Sequence, residues 1–473
     1  MKISYKHLIR SIPSKPSIEQ ISKKLFQLGH EHEIQNDIFD MEFTPNRGDC
    51  LSINGLLRDL SVFYEITSKQ NHYDKDLREL DFSFTNNAIE SCPAISFLKI
   101  DIEDNIDSYK GSLKSYFDNL DVGVKNFFTD VSNYISYETG QPTHCYDAKK
   151  IKNPISLESI DSDTEFLTLF DEQILLKDKN LVFVQNNEAI NLAGVIGGAN
   201  TSCNAETRSV IVECAYFNPE DIIGKSTKYD IKSDAAHKFE RGVDPLCHEK
   251  VLRRFLSIIE EHALIKDVAI FSKRYKEFSP SRIYFDVEGI NKILGTSCKT
   301  NEFNDYLYKL GFKIEEKNIV VPSYRPDIKI KNDIAEEMAR VIGYNKIEPN
   351  FLSIDTSPIV DEQKQKEKSI KDFLIQKGFF EVINNPFINQ KLNNSIKVDN
   401  PLDSNRSNLR THLEDSLIEN LLYNERRQKD SIKLFEISEI YQQGKNDVEV
   451  KKMLGIICSG RLGKNYLEFS KKN

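Results

Sequence analysis

Four carboxylates lie close together in residues 324–340, YRPDIKIKNDIAEEMAR: Asp327, Asp333, Glu336 and Glu337. Carboxylate oxygens are the hard ligands that Mg²⁺ requires, so this spacing could form a magnesium site. Asp333 and Glu336 are also spaced as the cap and the third-position acid of a helix start, where the helix dipole favours negative charge. Capping does not explain Asp327 or Glu337, and the residues alone leave both interpretations open.

A histidine follows a Gly-Gln-Pro turn in TDVSNYISYETGQPTHCYD, residues 129–147. The turn could hold Asn133, Gln141 and His144 rigidly, and His144 could then act as a base or orient another group. An isolated histidine is more often a hydrogen-bonded structural residue. Taken alone, the segment is a weak candidate for a site.

Two features further along the chain suggest a ligand pocket. LAGVIGG, residues 192–198, places Gly194 and Gly197 after a predicted strand, where bare backbone N–H groups could approach a ligand. The simpler alternative is a tight turn between strands. Glu213 lies in the apolar strand VIVECAYF, where a carboxylate must be paired, be protonated or face a cavity. For Glu213, a place in the wall of a pocket is slightly favoured over a structural ion pair.

A basic segment, KSTKYDIKSDAAHKFERGVDP, interrupts an otherwise acidic chain. Ser233 and Ala235 lie among its cations, which are Lys225, Lys228, Lys232, Lys238 and Arg241. The whole chain has 64 Lys and Arg against 73 Asp and Glu, a net charge of -9, which argues against bulk electrostatic capture of nucleic acid. Such runs are usually solvated faces, but a local patch of this kind suits an RNA backbone.

Composition places these segments in a reduced, soluble, multidomain protein. At 473 residues the chain exceeds what one hydrophobic core organises. Its eight cysteines form no CxxC pair, which favours reduced thiols over a disulfide scaffold. The N-terminus has no apolar leader and no apolar run is long enough to cross a membrane, so we expect a cytoplasmic location.

Two distant segments share one pattern of elements. Residues 17–34 and 300–316 each read as a capped helix that ends at Leu-Gly before an extended segment. A strand, a proline turn, Arg-x-Asp and a helix follow in both, which predicts two copies of a small helix-and-wing module, over 1–90 and 279–350. At the positions of Asp333, Glu336 and Glu337 the first copy has Gly55, Arg58 and Asp59, so we expect the acidic cluster in one copy only.

The remaining regions complete an α+β multidomain chain. Residues 91–275 carry alternating and fully apolar runs, which predict a mixed-sheet domain. Residues 355–473 combine two helices with the strands IKLFEISEIY and KKMLGIICSG.

Several stretches resemble one known family. GQPTHCYD, LAGVIGGANTS, ECAYFNP and SDAAHKFERGVDP resemble the editing domain of bacterial phenylalanyl-tRNA synthetase beta subunits. TPNRGDCLSINGLLRDL, SYRPDIKIKNDIAEEMARVIGY and NPLDSNRSNLRTHL resemble the other modules of that family, in the same order. The resemblance implies a partial class II synthetase-like, antiparallel-sheet domain at the C-terminal end, with Glu436 where an ATP-clamping arginine is expected. It also implies that the inserted tRNA-binding domain is lacking and that the chain is truncated at the C-terminus.

The resemblance further implies a function and its partners. The family forms an alpha-two beta-two phenylalanine-tRNA ligase, in which the alpha subunit binds ATP and charges the phenylalanine tRNA while beta hydrolyses mischarged tyrosyl-tRNA. By this resemblance, Glu213 recognises the tyrosyl hydroxyl, and Asn133 and His144 orient the ester or the attacking water. Gly194 to Gly197 would wall the pocket, Ser233 and Ala235 would line it, and the four acids of residues 324–340 would bind Mg²⁺. The alternatives are a freestanding tRNA-editing deacylase and a non-catalytic RNA-binding or assembly scaffold.

Overall fold

The computed structural model describes residues 1–67, 70–103, 106, 108–152, 154–349, 361–389, 394–429, 431–444 and 447–460. The chain forms two compact units, Met1–Phe351 and Leu352–Asn473. Helices and several mixed sheets occur together, so the predicted α+β class is confirmed at this level.

The first unit begins with a small module of three strands and three helices. Its elements are β1 (Lys2–Ser4), α1 (Tyr5–Ile9), α2 (Ile18–Gln27), β2 (Glu31–Gln35), β3 (Ile38–Glu42) and α3 (Ile53–Leu60). The strands pair in the order β1-β3-β2, all antiparallel. Ser17 and Gln20 form a capping box at the start of α2, and Gly29 follows its end with φ +83°, a left-handed conformation that glycine adopts without strain.

The central region contains two five-stranded sheets. Its elements are β4 (Arg78–Glu79), β5 (Phe84–Asn86), β6 (Ala94–Ile102), α4 (Gly111–Leu120), α5 (Phe127–Thr139), β7 (His144–Asp147), β8 (Ile155–Ile160), β9 (Thr164–Leu167), β10 (Gln173–Leu176), β11 (Asn180–Gln185), β12 (Glu188–Leu192), β13 (Ile196–Gly197), β14 (Ser209–Tyr216), α6 (Pro219–Ile222), α7 (Lys225–Lys228), α8 (Asp234–Phe239), α9 (His248–His262) and β15 (Ile265–Arg274). One sheet has the order β13-β12-β11-β8-β5 and the other β4-β15-β6-β14-β7.

Both five-stranded sheets are mixed. The β5–β8 and β4–β15 pairs are parallel, and the other pairs are antiparallel. A core of buried apolar side chains includes Phe97 and Ala215 from one sheet and Phe183 and Leu192 from the other. Because β4 and β5 pair into these sheets, the predicted module boundary at residue 90 falls too late, and residues from 78 onward belong with the central region.

The last part of the first unit repeats the element order of the N-terminal module. It contains β16 (Arg282–Tyr284), α10 (Val287–Leu294), α11 (Thr300–Lys309), β17 (Lys313–Glu315), β18 (Asn318–Val320) and α12 (Lys331–Ile342). The strands again pair first-third-second, as β16-β18-β17. Gly311 follows α11 with φ +88°, at the position that Gly29 holds after α2.

The second unit has a sheet built around one long antiparallel hairpin. Its elements are α13 (Glu362–Gln376), β19 (Phe380–Glu381), β20 (Phe387–Ile388), β21 (Asn408–Leu409), α14 (Glu414–Glu425), β22 (Ser431–Gln443) and β23 (Val448–Gly460). The β22–β23 pair is antiparallel, whereas the short strand β19 joins β22 in parallel, so the sheet predicted to be antiparallel is mixed. Glu436 is buried and accepts a 2.8 Å bond from Arg410, which makes it part of an internal ion pair.

No helix in the described part of the chain is both long and apolar enough to span a membrane.

Candidate active site

A cavity of about 500 Å³ opens in the central region, with walls from both five-stranded sheets. This volume lies in the range of small-molecule sites. Eight of the residues singled out in the sequence line this one cavity: Asn133, His144, Gly194, Gly197, Glu213, Lys232, Ser233 and Ala235. Residues that are up to about a hundred positions apart in the chain are thus brought to one place.

Strand pairing places the two titratable side chains on one face. In the antiparallel β7–β14 pair, His144 lies directly opposite Glu213. Because side chains alternate along a strand, Tyr146 shares the face of His144. The side chains of His144 and Tyr146 therefore point to the same side of the sheet as the buried carboxylate.

Glu213 is buried and is held by two neutral donors. Its Oε2 accepts bonds from the Tyr146 hydroxyl at 2.7 Å and the Asn191 amide at 3.3 Å. The Asn191 amide also donates to the Tyr146 oxygen at 2.7 Å. Burial raises the pKa of Glu213 to about 7, although the bond from Tyr146 opposes this rise. From the sequence, Glu213 could be paired, be protonated or face a cavity. In the structure its carboxylate is hydrogen-bonded and also lines the cavity.

His144 packs between a tyrosine ring and a glycine. Its ring meets that of Tyr146 edge to face, with centroids 4.4 Å apart. A Cβ at Gly197 would lie 2.1 Å from the His144 imidazole, so this close approach requires glycine. Burial lowers the pKa of His144 to about 4, which leaves the ring neutral at physiological pH. Within the described residues, the buried Nε2 atom has no hydrogen-bond partner.

Two other predicted residues shape the wall of the cavity. Gly194 has φ +70°, and a Cβ there would lie 2.9 to 3.0 Å from the side chains of Ile222 and Phe217. Ser233 caps α8, since its hydroxyl accepts a 3.1 Å bond from the Ala236 N–H. Gly194 and Ser233 thus have structural reasons to be present besides their position at the cavity.

The rim of the cavity carries exposed groups. Asn133 is exposed on α5, and Lys125 and Lys232 are exposed beside the opening. Phe170 is 62% exposed although it is a large aromatic residue. The rim therefore combines two cations with an accessible ring.

The basic segment 225–245 does not form a continuous free cationic face, contrary to the RNA-backbone interpretation. Lys238 is buried and donates to the carbonyl oxygen of Ser136 at 2.7 Å. Lys228 pairs with Asp178 at 2.7 Å, and Arg241 pairs with Glu240. Of the predicted cations, Lys232 is the one that lines the cavity.

The acidic cluster lies elsewhere, beside a smaller cavity of about 140 Å³ that all four acids line. Arg325 donates to Asp327 at 2.9 and 2.8 Å and to Glu337 at 2.9 and 2.8 Å. Although burial opposes it, the guanidinium groups of Arg340 and Arg325 lower the pKa of Glu337 to about 2. Asp327 and Glu337, which helix capping could not explain, are explained by ion pairs.

The other two acids have different roles. Asp333 is the third residue of α12 rather than its N-cap, which is Ile330; one of its oxygens accepts from the backbone N–H groups of Lys329 and Ile330 at 2.7 and 2.9 Å. Glu336 is exposed. Among the described residues, three or more potential ligand atoms come within 4.8 Å of one another at His30, Cys50 and Asp59, and not at the four acids. The predicted four-carboxylate magnesium cage is therefore not formed in this geometry.

One carboxylate of the acidic pattern is present in both modules. Asp59 matches Glu337, and Arg47 donates to it at 2.9 Å just as Arg325 donates to Glu337. Asp59 also accepts from His30 at 2.9 Å and from Arg340 at 2.8 Å. Since two guanidinium groups already hold this carboxylate, we interpret the His30, Cys50 and Asp59 group as a hydrogen-bond network.

Sequence reasoning missed two residues of the cavity network, Tyr146 and Asn191. One signal was available for Tyr146, because alternation along β7 places it on the face of His144. Asn191 is a polar residue in the mostly apolar strand β12, a pattern similar to that of Glu213 in β14.

Comparison with known proteins identifies three matching families. The B3/4 domain matches residues 96–264, the tRNA synthetase B5 domain matches residues 283–344, and the phenylalanyl tRNA synthetase beta chain CLM domain matches residues 347–472. The B3/4 match contains the whole β7–β14 part of the cavity.

Curated relatives match over most of this chain. Phenylalanine–tRNA ligase beta subunits from Fusobacterium nucleatum and Thermotoga maritima are 31% and 30% identical over 467 and 454 residues, which is 92% and 90% of this chain and 57% and 56% of those proteins. The one from Legionella pneumophila (strain Lens) is 27% identical over 452 residues, 91% of this chain and 56% of that protein. The chain thus spans about half the length of the curated relatives it matches.

A solved N-terminal fragment of the phenylalanyl-tRNA synthetase beta-subunit from Pyrococcus horikoshii is 14% identical, with a TM-score of 0.41, and the match covers 72% of this chain and 99% of the fragment.

Proposed function

We propose, because this chain belongs to the family of phenylalanine–tRNA ligase beta subunits, that its central cavity hydrolyses the ester of tyrosine wrongly attached to the phenylalanine tRNA. The observation that carries this proposal is Glu213, a buried carboxylate in the wall of the cavity with one oxygen held by Tyr146 and Asn191. No described residue donates to its other oxygen, Oε1, which therefore has lone pairs to offer.

A carboxylate of this kind can separate tyrosine from phenylalanine. An apolar synthetic pocket rejects an isostere with one extra hydroxyl by only about a hundredfold, so a second site that binds the hydroxyl is needed. The tyrosyl phenol would donate to Glu213, whereas the phenylalanyl ring would leave this acceptor unpaired, at a cost of about 1–3 kcal/mol. Glu213 is then a specificity residue rather than the base.

The side chains around the cavity support water as the nucleophile. Burial raises the pKa of the neighbouring Cys145 thiol, so this cysteine stays protonated and is a poor nucleophile. The neutral His144 can accept a hydrogen bond from water at whichever ring nitrogen carries no proton. The water oxygen attacks the ester carbonyl carbon, the bond from that carbon to the ribose oxygen breaks, and the ribose hydroxyl leaves with a proton. We assign to Asn133, which is exposed on α5 and lines the cavity, the role of orienting the ester.

The rim supports a nucleotide at the cavity mouth. Phe170 offers an exposed ring on which a base can stack, and Lys125 and Lys232 can pair with phosphate groups. The ester end of a charged tRNA presents both of these chemistries.

The test compares deacylation of tyrosyl- and phenylalanyl-tRNA by the full chain. We expect preferential hydrolysis of the tyrosyl ester, and Glu213→Ala should reduce this preference by at least tenfold. His144→Ala should slow hydrolysis of both esters, because it removes the group that holds the water. Binding of tRNA without hydrolysis would instead favour the RNA-binding scaffold.

The family relationship also supports a phenylalanine–tRNA ligase alpha subunit as the partner, in an alpha-two beta-two assembly that attaches phenylalanine with ATP bound on alpha. Co-expression with a cognate alpha subunit should give a stable complex that charges the phenylalanine tRNA. Rapid tyrosyl-tRNA hydrolysis by a chain that binds no alpha subunit would favour the freestanding deacylase.

A magnesium ion at the acidic cavity fits a more limited ligand set than the sequence implied. Glu336 is exposed, and Asp333 has a second oxygen besides the one used for capping, so these two can hold a hydrated Mg²⁺. Asp327 and Glu337 could join only if their arginine pairs opened. The bound ion would supply positive charge at this surface. Mn²⁺ binding, followed by electron paramagnetic resonance, should be lost in Asp333→Asn plus Glu336→Gln and retained in Asp327→Asn; the reverse pattern would contradict the assignment.

A further inference from the structure

A phenol of the protein itself lies buried behind the cavity wall, and it is bonded to the carboxylate that the proposed function assigns to a substrate phenol. Tyr146 is almost fully buried, and its hydroxyl lies 2.7 Å from Oε2 of Glu213. Asn191 contacts both partners, at 2.7 Å to the Tyr146 oxygen and 3.3 Å to Glu213. The three side chains come from three different strands, β7, β12 and β14, so they form a built arrangement rather than a local turn.

We propose that Tyr146 is a positioning residue for tyrosyl discrimination, whose hydroxyl holds Oε2 of Glu213 so that Oε1 is presented to the phenol of the substrate. This inference rests on the proposed editing function and deepens it. The carboxylate would accept two phenols, one from the protein and one from the substrate. A carboxylate has about four lone-pair sites, so the internal bonds leave capacity for the second donor.

The position of Tyr146 is fixed by packing as well as by its hydroxyl. Its ring meets the His144 ring edge to face, and His144 in turn packs on Gly197. The aromatic ring thus orients His144 while its hydroxyl orients Glu213. Removing the hydroxyl alone separates these two effects, because phenylalanine keeps the ring.

The hydroxyl also favours the ionised form of Glu213, which is the form that accepts two donors. The titratable groups around Glu213 are all uncharged at neutral pH, since burial raises the pKa of the thiols and the phenol and lowers that of the imidazole; they are His144, Cys145 and Tyr146 on β7, Cys214 on β14, and Cys92 before β6. With no cation among them, the hydrogen bonds from Tyr146 and Asn191 stabilise the negative charge.

The test is Tyr146→Phe in the full chain, with tyrosyl- and phenylalanyl-tRNA as substrates. Loss of a hydrogen bond to a charged group should reduce the preference for the tyrosyl ester by roughly ten- to a hundredfold, mainly through KM. Hydrolysis of the phenylalanyl ester should fall less than hydrolysis of the tyrosyl ester, because His144 keeps its ring partner. The pH at which tyrosyl hydrolysis is half-maximal should rise, since Glu213 ionises less readily without its donor.

A matched control is Tyr134→Phe. Tyr134 also donates from a buried hydroxyl to a buried carboxylate, Glu138, at 2.6 Å, but neither residue lines the cavity. This variant should leave discrimination unchanged. If Tyr146→Phe does not fold, Asn191→Ala removes the second donor and should change discrimination in the same direction.

The outcomes separate failure of this inference from failure of the proposed function. Unchanged discrimination in an active Tyr146→Phe protein would overturn the inference alone, and improved tyrosyl hydrolysis would show that Tyr146 competes with the substrate. A wild-type chain that hydrolyses neither ester would overturn the proposed function. The infrared band of the protonated Glu213 carboxyl, assigned with Glu213→Gln, would then still test whether Tyr146→Phe raises the pH at which this group ionises; no rise would overturn the positioning role.

Discussion

Two buried glutamates of the first unit have opposite electrostatic environments. Glu213 is surrounded by neutral donors, and burial raises its pKa to about 7. Glu337 is as deeply buried, but Arg340 and Arg325 bond to it and its pKa falls to about 2. The difference teaches that burial alone does not make a carboxylate functional or structural. The charge of its partners decides, and the carboxylate without a cation is the one that faces a cavity large enough for a substrate.

The largest effect on stability is expected from removing one cation, Arg340, from the acidic network around Glu337. Arg340 donates to Glu337 at 2.9 Å and to Asp59 at 2.8 Å. Arg340→Met should lower the free energy of unfolding of the first unit by about 3–5 kcal/mol, because it leaves buried carboxylates undercompensated. Urea denaturation measures this loss. The control is Arg282→Met, which breaks the exposed pair with Glu315 and should cost at most about 1 kcal/mol; equal losses would contradict the role of Arg340.

The contributions of the two glutamates to folding stability should depend on pH with opposite signs. The folded-state pKa of Glu337 lies below the ordinary 4.5, so its contribution to stability is present above pH 4.5 and is lost as the pH falls toward about 2. The folded-state pKa of Glu213 lies above 4.5, so its contribution is present below pH 4.5 and is lost as the pH rises to about 7. Each shift corresponds to roughly 3 kcal/mol.

Two isosteric variants test these signs. At pH 8, Glu337→Gln should lower the thermal unfolding temperature of the chain, whereas Glu213→Gln should raise it. Near pH 4.5 the Glu213→Gln difference should vanish, because wild-type Glu213 is then protonated. A destabilising effect of Glu213→Gln at pH 8 would mean that an unseen cation neutralises this carboxylate.

The smallest expected effect concerns the two modules. Asp333, the third residue of α12, accepts from the backbone N–H groups at the start of this helix, whereas Gly55 stands at the matching position of the first module and has no side chain. Asp333→Ala should destabilise the first unit by about 1 kcal/mol, because the N–H groups of Lys329 and Ile330 lose their acceptor. Glu336→Ala, at an exposed neighbour, should change stability by less than about 0.5 kcal/mol. A larger effect of Glu336→Ala would show that it takes part in folding contacts.

Local patterns made much of the fold readable from the sequence. The Leu-Gly ends of two helices were predicted, and the structure places Gly29 and Gly311 there in left-handed conformations. The segments that line the large cavity were also found, because a histidine after a turn and a carboxylate in an apolar strand are anomalies that one sequence exhibits by itself. Their convergence on one cavity could be expected from family resemblance, but not from spacing.

What the sequence could not give depends on tertiary neighbours. Arg325 lies only two residues before Asp327 in the sequence, but only the fold shows that it donates to both Asp327 and Glu337. The basic segment looked continuous, although Lys238 points into the core and bonds to Ser136. Tyr146 differs from a phenylalanine by one oxygen atom. The role of this hydroxyl depends on Glu213, which lies on the paired strand.

The bond between Arg340 and Asp59 joins positions 281 residues apart in the chain. During synthesis at 5–20 residues per second, Asp59 would emerge roughly 15 to 55 s before its partner. During this interval only His30 and Arg47 are available to bond to this carboxylate. Once α12 has been synthesised, Arg340 completes the charge balance. The ion pair between the two modules can therefore form only after the whole cavity-bearing region has been synthesised.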